Sequence, residues 1–176
     1  MKDNDTKKIL KHLKESLKSF VPTKPCIYAI GVTNALEFPL ISTKVRKKPN
    51  DIIYIGITKK NQTSRIENTH FENGKSKSST LRRSLGAILR EELKLELIPH
   101  TNYKFTPDGE EKLTEWMIEN LSVSYCEWHG SIEELREIEK EIIKLICPIL
   151  NLQSNPNNAW NQEITELRNV CRNLAE

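Results

Sequence analysis

The chain has 176 residues, 29% charged and 37% hydrophobic, with a formal net charge of +3 at pH 7. That length fits one domain with a helical appendage and is enough to bury a core. No apolar run approaches the roughly 18 residues of a membrane span. The opening MKDNDTKKILKHLKESLKSF lacks the continuous hydrophobic segment of a secretory signal. A cytoplasmic protein with no membrane partner is expected.

Residues 6–20 place Ile9, Leu10, Leu13, Leu17 and Phe20 at helical spacing, and Pro22 and Pro25 end the helix. This N-terminal helix (1–22) is suited to dock on the core or to make a dimer, and docking is the commoner outcome. CIYAIGV (26–32) reads as a strand, 33–50 as an irregular insertion with the basic cluster KVRKKPN, and IIYIGI (52–57) as the second strand. A short helix is expected over about 61–70, then a polar loop, ENGKSKSS. Ser79 or Thr80 is placed to cap a helix over LRRSLGAILREEL, and another helix runs from Asp108 to about Asn120. SVSYCEW (122–128) alternates as a third strand. Ser131 and Glu134 form a capping box for a helix ending near Ile146 before Pro148, and a last helix fills about 160–174. Three short strands among helices, the first two antiparallel, predict a small α+β sandwich.

The cysteines Cys26, Cys126, Cys147 and Cys171 include no CxxC pair and the four histidines no HxxxH pair. Buried thiols are expected, with no zinc ribbon, disulfide framework or histidine-built metal centre. Charge is divided unevenly. From Lys59 to Lys94 nine basic residues face only Glu67, Glu72, Glu91 and Glu92, whereas the balance reverses from Asp108 to Glu141. A face for a polyanion and ordinary solvated helix surfaces both fit that asymmetry.

Two positions break the local patterns. In SIEELREIEKEIIKLI, Ile132, Leu135, Ile142, Ile143 and Ile146 share one helical face, and Glu139, seven residues from Ile132, points into it. An isolated carboxylate there costs several kcal/mol, so it calls for a cation, a proton or a metal ion. In DIIYIGI, alternation puts Ile52, Tyr54 and Gly56 on one face and Ile53, Ile55 and Ile57 on the other. Gly56 leaves room beside Tyr54, and Tyr28 in the partner strand is placed to present a second phenol to the same side. Trp116, Trp128 and Trp160 are read as packing residues, with Leu113, Trp116, Met117 and Leu121 on one buried face.

CIYAIG followed by IIYIG resembles the paired strand motifs of the GIY-YIG nuclease family. Arg65, eleven residues after Tyr54, matches the family's helical arginine. Glu139 and Asn151, joined through Pro148 in EKEIIKLICPILN, match its glutamate and downstream asparagine. The resemblance covers roughly 24–152, with insertions at 33–50 and about 72–120, and leaves 153–176 as a C-terminal helical extension. The stretch HFENGKSKSSTLRRSLGAILREEL resembles a bacterial subgroup. Cys26 stands where the first motif glycine is usual, and Ile57 where some relatives carry lysine. Thr69 stands where a tyrosine or histidine is often found, and His70 is the next residue.

The resemblance implies a three-stranded antiparallel sheet flanked by helices and a divalent-metal-dependent endonuclease. Glu139 would hold a Mg²⁺ ion, for which Mn²⁺ can substitute, and Arg65 the scissile phosphate. Tyr28 would accept the water's proton, Tyr54 position water or phosphate, and Asn151 fix the active-site loop; the two phenols are interchangeable on sequence grounds. Lys59, Lys60, Lys75, Lys77, Arg82 and Arg83 would contact the DNA backbone, with RNA as the other possible substrate. The alternatives are a nucleic-acid-binding module without cleavage and a protein-interaction domain with an Arg65–Glu139 ion pair.

Overall fold

The computed structural model describes residues 2–15, 24–34, 36–39, 44–47, 51–58 and 76–176. In chain order the described elements are α1 (Lys2–Glu15), β1 (Cys26–Val32), β2 (Leu36–Pro39), β3 (Lys44–Lys47), β4 (Ile52–Thr58), α2 (Thr80–Leu93), β5 (Leu97–Ile98), β6 (Lys104–Phe105), α3 (Pro107–Asn120), β7 (Leu121–Glu127), α4 (Ile132–Ile146) and α5 (Asn161–Leu174). The chain sorts into two compact units, one of Met1–Asn34, Pro49–Thr63 and Leu121–Asn158, the other of Ala35–Lys48, Ser64–Asn120 and Ala159–Glu176.

The first unit is built on an antiparallel sheet of order β4-β1-β7. β1 is buried along its whole length, as a central strand covered on both faces must be, which is why CIYAIGV is nearly continuous in apolar residues. Opposite Tyr28 stand Gly56 on β4 and Tyr125 on β7; opposite Ile30 stand Tyr54 and Val123. The β1–β4 register shifts between Ile30 and Gly31, so Gly31 pairs with Ile52. That irregularity corrects the simple alternation: Ile52 joins Ile55 in the core rather than sharing the face of Tyr54.

On one side of the sheet Ile27, Ala29, Ile52 and Ile55 pack with Leu135, Ile138, Ile142 and Ile143 of α4 and with Ile9 and Leu13 of α1. The N-terminal helix therefore docks, and the Thr6 hydroxyl donates to Glu141 Oε2 at 2.8 Å. Helix α4 starts at the expected capping box, Ser131 with Glu134. It ends at Cys147, whose left-handed backbone (φ 50°) turns the chain before Pro148.

In the second unit Ser79 caps α2 by accepting from the Arg82 amide. The 33–50 insertion is more regular than expected, because β2 and β3 pair antiparallel from Leu36↔Lys47 to Pro39↔Lys44; four-residue strands are too short to show a period in sequence. A second two-stranded ladder, β5–β6, joins α2 to α3. Gly86 lets the Phe105 ring seat directly on α2, since a methyl there would stand 2.5 Å from Phe105 Cζ. Phe38 and Trp116 pack with their rings tilted by 48° and their centroids 6.4 Å apart. Leu121, expected on the α3 face, instead opens β7. The expected helix over 61–70 lies outside the described residues. Among the described residues no helix is long and apolar enough to cross a membrane.

Candidate active site on the motif strands

The antiparallel register carries Tyr28, Tyr54, Gly56 and Tyr125 to one face of the sheet, opposite the face covered by α4. Tyr28 is 1% exposed and Tyr54 half-buried. Their ring centroids are 6.2 Å apart with an interplanar angle of 36°. The glycine that follows Tyr54 by two residues explains how this is possible. A methyl on Gly56 would stand 2.5 Å from Tyr28 Cζ and 2.9 Å from Cε1, and closer still to the hydroxyl oxygen. The Tyr28 ring lies across β4 where only hydrogen leaves space. Gly56 is thus required by the other tyrosine, and the pairing of the two motifs is a packing relation.

Asn151 is buried and makes a two-point clasp on the outer edge of the sheet. Its Oδ1 accepts from the Ile55 amide and its Nδ2 donates to the Ile55 carbonyl, both at 2.8 Å. The Leu150 amide donates to Ile53 O at 2.9 Å. The loop after Pro148 therefore serves β4 as a substitute neighbour and fixes the strand between Tyr54 and Gly56. The loop is itself held by two buried asparagines that sequence reasoning passed over. Asn155 Nδ2 donates to the carbonyls of Pro148 (2.9 Å) and Asn151 (3.0 Å), and Asn158 Nδ2 to Ile149 O (2.9 Å). The asparagine-rich run NLQSNPNN was the available signal, since asparagine amides commonly fold back on loop backbone. Asn151→Ala is expected to cost about 1–3 kcal/mol by orphaning both Ile55 groups. Chemical denaturation checks the loss, and faster amide exchange at Ile55 locates it.

Glu139 is half-buried on α4, with Leu135, Ile142 and Ile143, its neighbours at i−4, i+3 and i+4, all buried. The carboxylate does stand within the apolar arc. Among the described residues no group of three or more His, Cys, Asp or Glu gathers as a metal cage. A cation at Glu139 would take one protein carboxylate and complete its shell with water and substrate oxygens, which is how Mg²⁺ is commonly held. Cys26, in the place of the first motif glycine, is tied to Thr58 (Sγ···Oγ1 3.3 Å), and burial before all else pushes its thiol above the usual range. It is a neutral packing group, not a nucleophile.

Arg65, His70, Lys59, Lys60 and Lys75 lie outside the described residues. Lys77 is exposed in the turn at 76–78. Arg82 and Arg83, expected as DNA-backbone contacts, are both buried on α2. Arg82 is fully buried and ion-paired with Glu110 (Nη2–Oε2 2.7 Å), and Arg83 Nη1 is spent on the carbonyls of Ser76 (3.0 Å) and Lys77 (2.9 Å). Consecutive arginines near a helix start look solvent-facing in sequence; here the facing helix α3 brings a carboxylate inward. Trp128 donates Nε1–H to Ser131 O at 2.9 Å, supporting the α4 cap. Tyr125 was missed because its strand was legible but its register against Tyr28 was not.

A family model described as the GIY-YIG catalytic domain matches residues 24–170. No curated protein and no solved structure gives a significant match.

Proposed function

The chain belongs to the GIY-YIG catalytic-domain family, a family of nucleases, and on that footing we propose a divalent-metal-dependent endonuclease that hydrolyses DNA phosphodiester bonds. The observation that carries the reading is the Tyr28–Tyr54 pair packed over Gly56, with Asn151 clasping the same strand. A binding module has no need of two phenols held so closely, or of Glu139 on an apolar arc.

Glu139 would hold Mg²⁺, with Mn²⁺ as a substitute, and the ion would supply charge stabilisation for the phosphate and the departing oxygen. Tyr28 is assigned as the acceptor of the attacking water's proton and Tyr54 as the group that orients water or phosphate. A phenol of ordinary pKa about 10 needs positive charge nearby to act as a base near neutrality. Arg65 would hold the scissile phosphate with its planar donor fork and supply that charge. His70 is a further proton carrier in this reading. Asn151 keeps Tyr54 and Gly56 in register, and Lys59, Lys60, Lys75 and Lys77 serve the DNA backbone.

The test compares wild type with Glu139→Ala on supercoiled, linear, single-stranded and branched DNA, and on RNA, with Mg²⁺, Mn²⁺ or EDTA. Metal-dependent cutting by wild type, reduced about 10²-fold or more in the variant at equal circular dichroism, is the expected result. Binding without cutting by both proteins would replace the enzyme with a binding module of the same fold.

A further inference from the structure

In the second unit some arginine charge meets no ion-pair partner among the described residues. Arg83 on α2 is 7% exposed; its Nη1 is satisfied by two backbone carbonyls, but its buried Nε meets no hydrogen-bond partner among the described residues. The Tyr103 hydroxyl donates to Arg83 O at 2.9 Å. Helix α5 packs along α2. On α5 the residues turned inward are Ile164, Cys171 and Ala175 (just past its end), and between them lies half-buried Arg168 with exposed Arg172 one turn further on.

Arg83 on one helix and Arg168 and Arg172 on the other thus lie on elements that pack together, near enough for the two α5 charges to act on Arg83. Burial first, and then Arg168, lower the pKa of Arg83, with Arg172 adding to the effect. Among the described residues none of the three forms an ion pair: Glu110 is taken by Arg82 and Glu91 by Arg90. Lys77 borders the cluster, since Arg83 binds its carbonyl. Like charges collected without a counter-ion repel, and an anion relieves them.

We propose that Arg168 and Arg172, backed by the buried charge of Arg83 and bordered by Lys77, form a phosphate site that grips the sugar–phosphate backbone of the nucleic acid. Arginine forks match phosphate oxygens two at a time. The site deepens the nuclease reading and rests on it. It replaces the buried Arg82 with residues from the far end of the chain, beyond the catalytic motifs.

The experiment measures binding of the full chain to duplex DNA in EDTA across a salt series, for wild type, Arg172→Gln and Arg168→Gln/Arg172→Gln. Circular dichroism and cleavage of a saturating substrate confirm that each variant is folded. The expected result for the double variant is about tenfold or greater weakening, with the slope of log affinity against log salt reduced by about 2, near 1 for each lost contact. Arg172→Gln, at an exposed position, keeps the test valid should the double variant fold poorly; it should lose about half of that slope change. Unchanged affinity and slope in folded variants that still cut DNA would overturn the site and leave the nuclease standing. A parallel arm follows thermal protection by inorganic phosphate. Loss of that protection with DNA binding intact would make this a small-anion site and overturn the proposal. Wild type that binds no DNA would sink both readings together.

Discussion

Glu110→Gln is expected to cost about 3–5 kcal/mol of stability, the loss typical of breaking a buried ion pair from one side. Arg82 and Glu110 are 0% and 2% exposed. Arg82 donates Nη2 to Glu110 Oε2 (2.7 Å) and to Glu110 O (2.9 Å), and Nε to Oε2 (3.2 Å). The other carboxylate oxygen accepts from the Ser76 amide at 3.1 Å and from the Ser76 hydroxyl. One carboxylate therefore joins α2, α3 and the turn before α2. Burial is nonetheless the largest influence on Arg82, holding its pKa below the ordinary arginine value despite the attraction of Glu110. The pair is costly to assemble and costlier to halve. Arg82→Met alone should be as damaging as Glu110→Gln, whereas the double variant removes both charges and should lie closer to wild type than either. Urea denaturation of the four proteins gives the cycle; additive losses would mean that the two charges do not depend on each other.

Gly56→Ala is expected to lower stability by about 1–3 kcal/mol and cleavage by about 10²-fold. The added methyl would occupy the place of the Tyr28 ring, 2.5 Å from Cζ, and the neighbours that bury Tyr28 leave the ring little room to retreat. The ring must shift, and with it the phenol proposed as base and its packing on Tyr54. Tyr28→Ala removes the obstacle. In that background the same change at position 56 should cost little further stability, although activity stays lost. Equal costs in both backgrounds would show that close approach of Tyr28 is not why this position is glycine. Denaturation midpoints and initial cleavage rates on one DNA substrate supply both readouts.

Much of the first unit is written locally. The capping box Ser131–Glu134, the stop at Pro148 and the strand limits of CIYAIGV are short-range signals, fixed by hydrogen bonding within a few residues or by a missing donor. Glu139 stood out because a 3.6-residue period leaves only certain positions on an inward arc, and its buried neighbours on α4 agree. The residues Tyr28, Tyr54, Glu139 and Asn151 could be named from the resemblance of their stretches to the family's motifs. How three of them fit together could not. The Tyr28–Gly56 contact depends on register, as does the presence of Tyr125 on the same face, and register is set here by partners far away in the chain.

Sequence by itself determined the family and the α+β class, because both are carried by local patterns of side chains. Tertiary structure alone decided which charges are spent and which are available. Arg82 and Arg83 are adjacent in a basic run, yet one is neutralised by a carboxylate from α3 and the other placed beside Arg168 and Arg172 of α5. Charge acts through space, and the partner that cancels or reinforces it was 28 residues away for Arg82 and at the far end of the chain for Arg83.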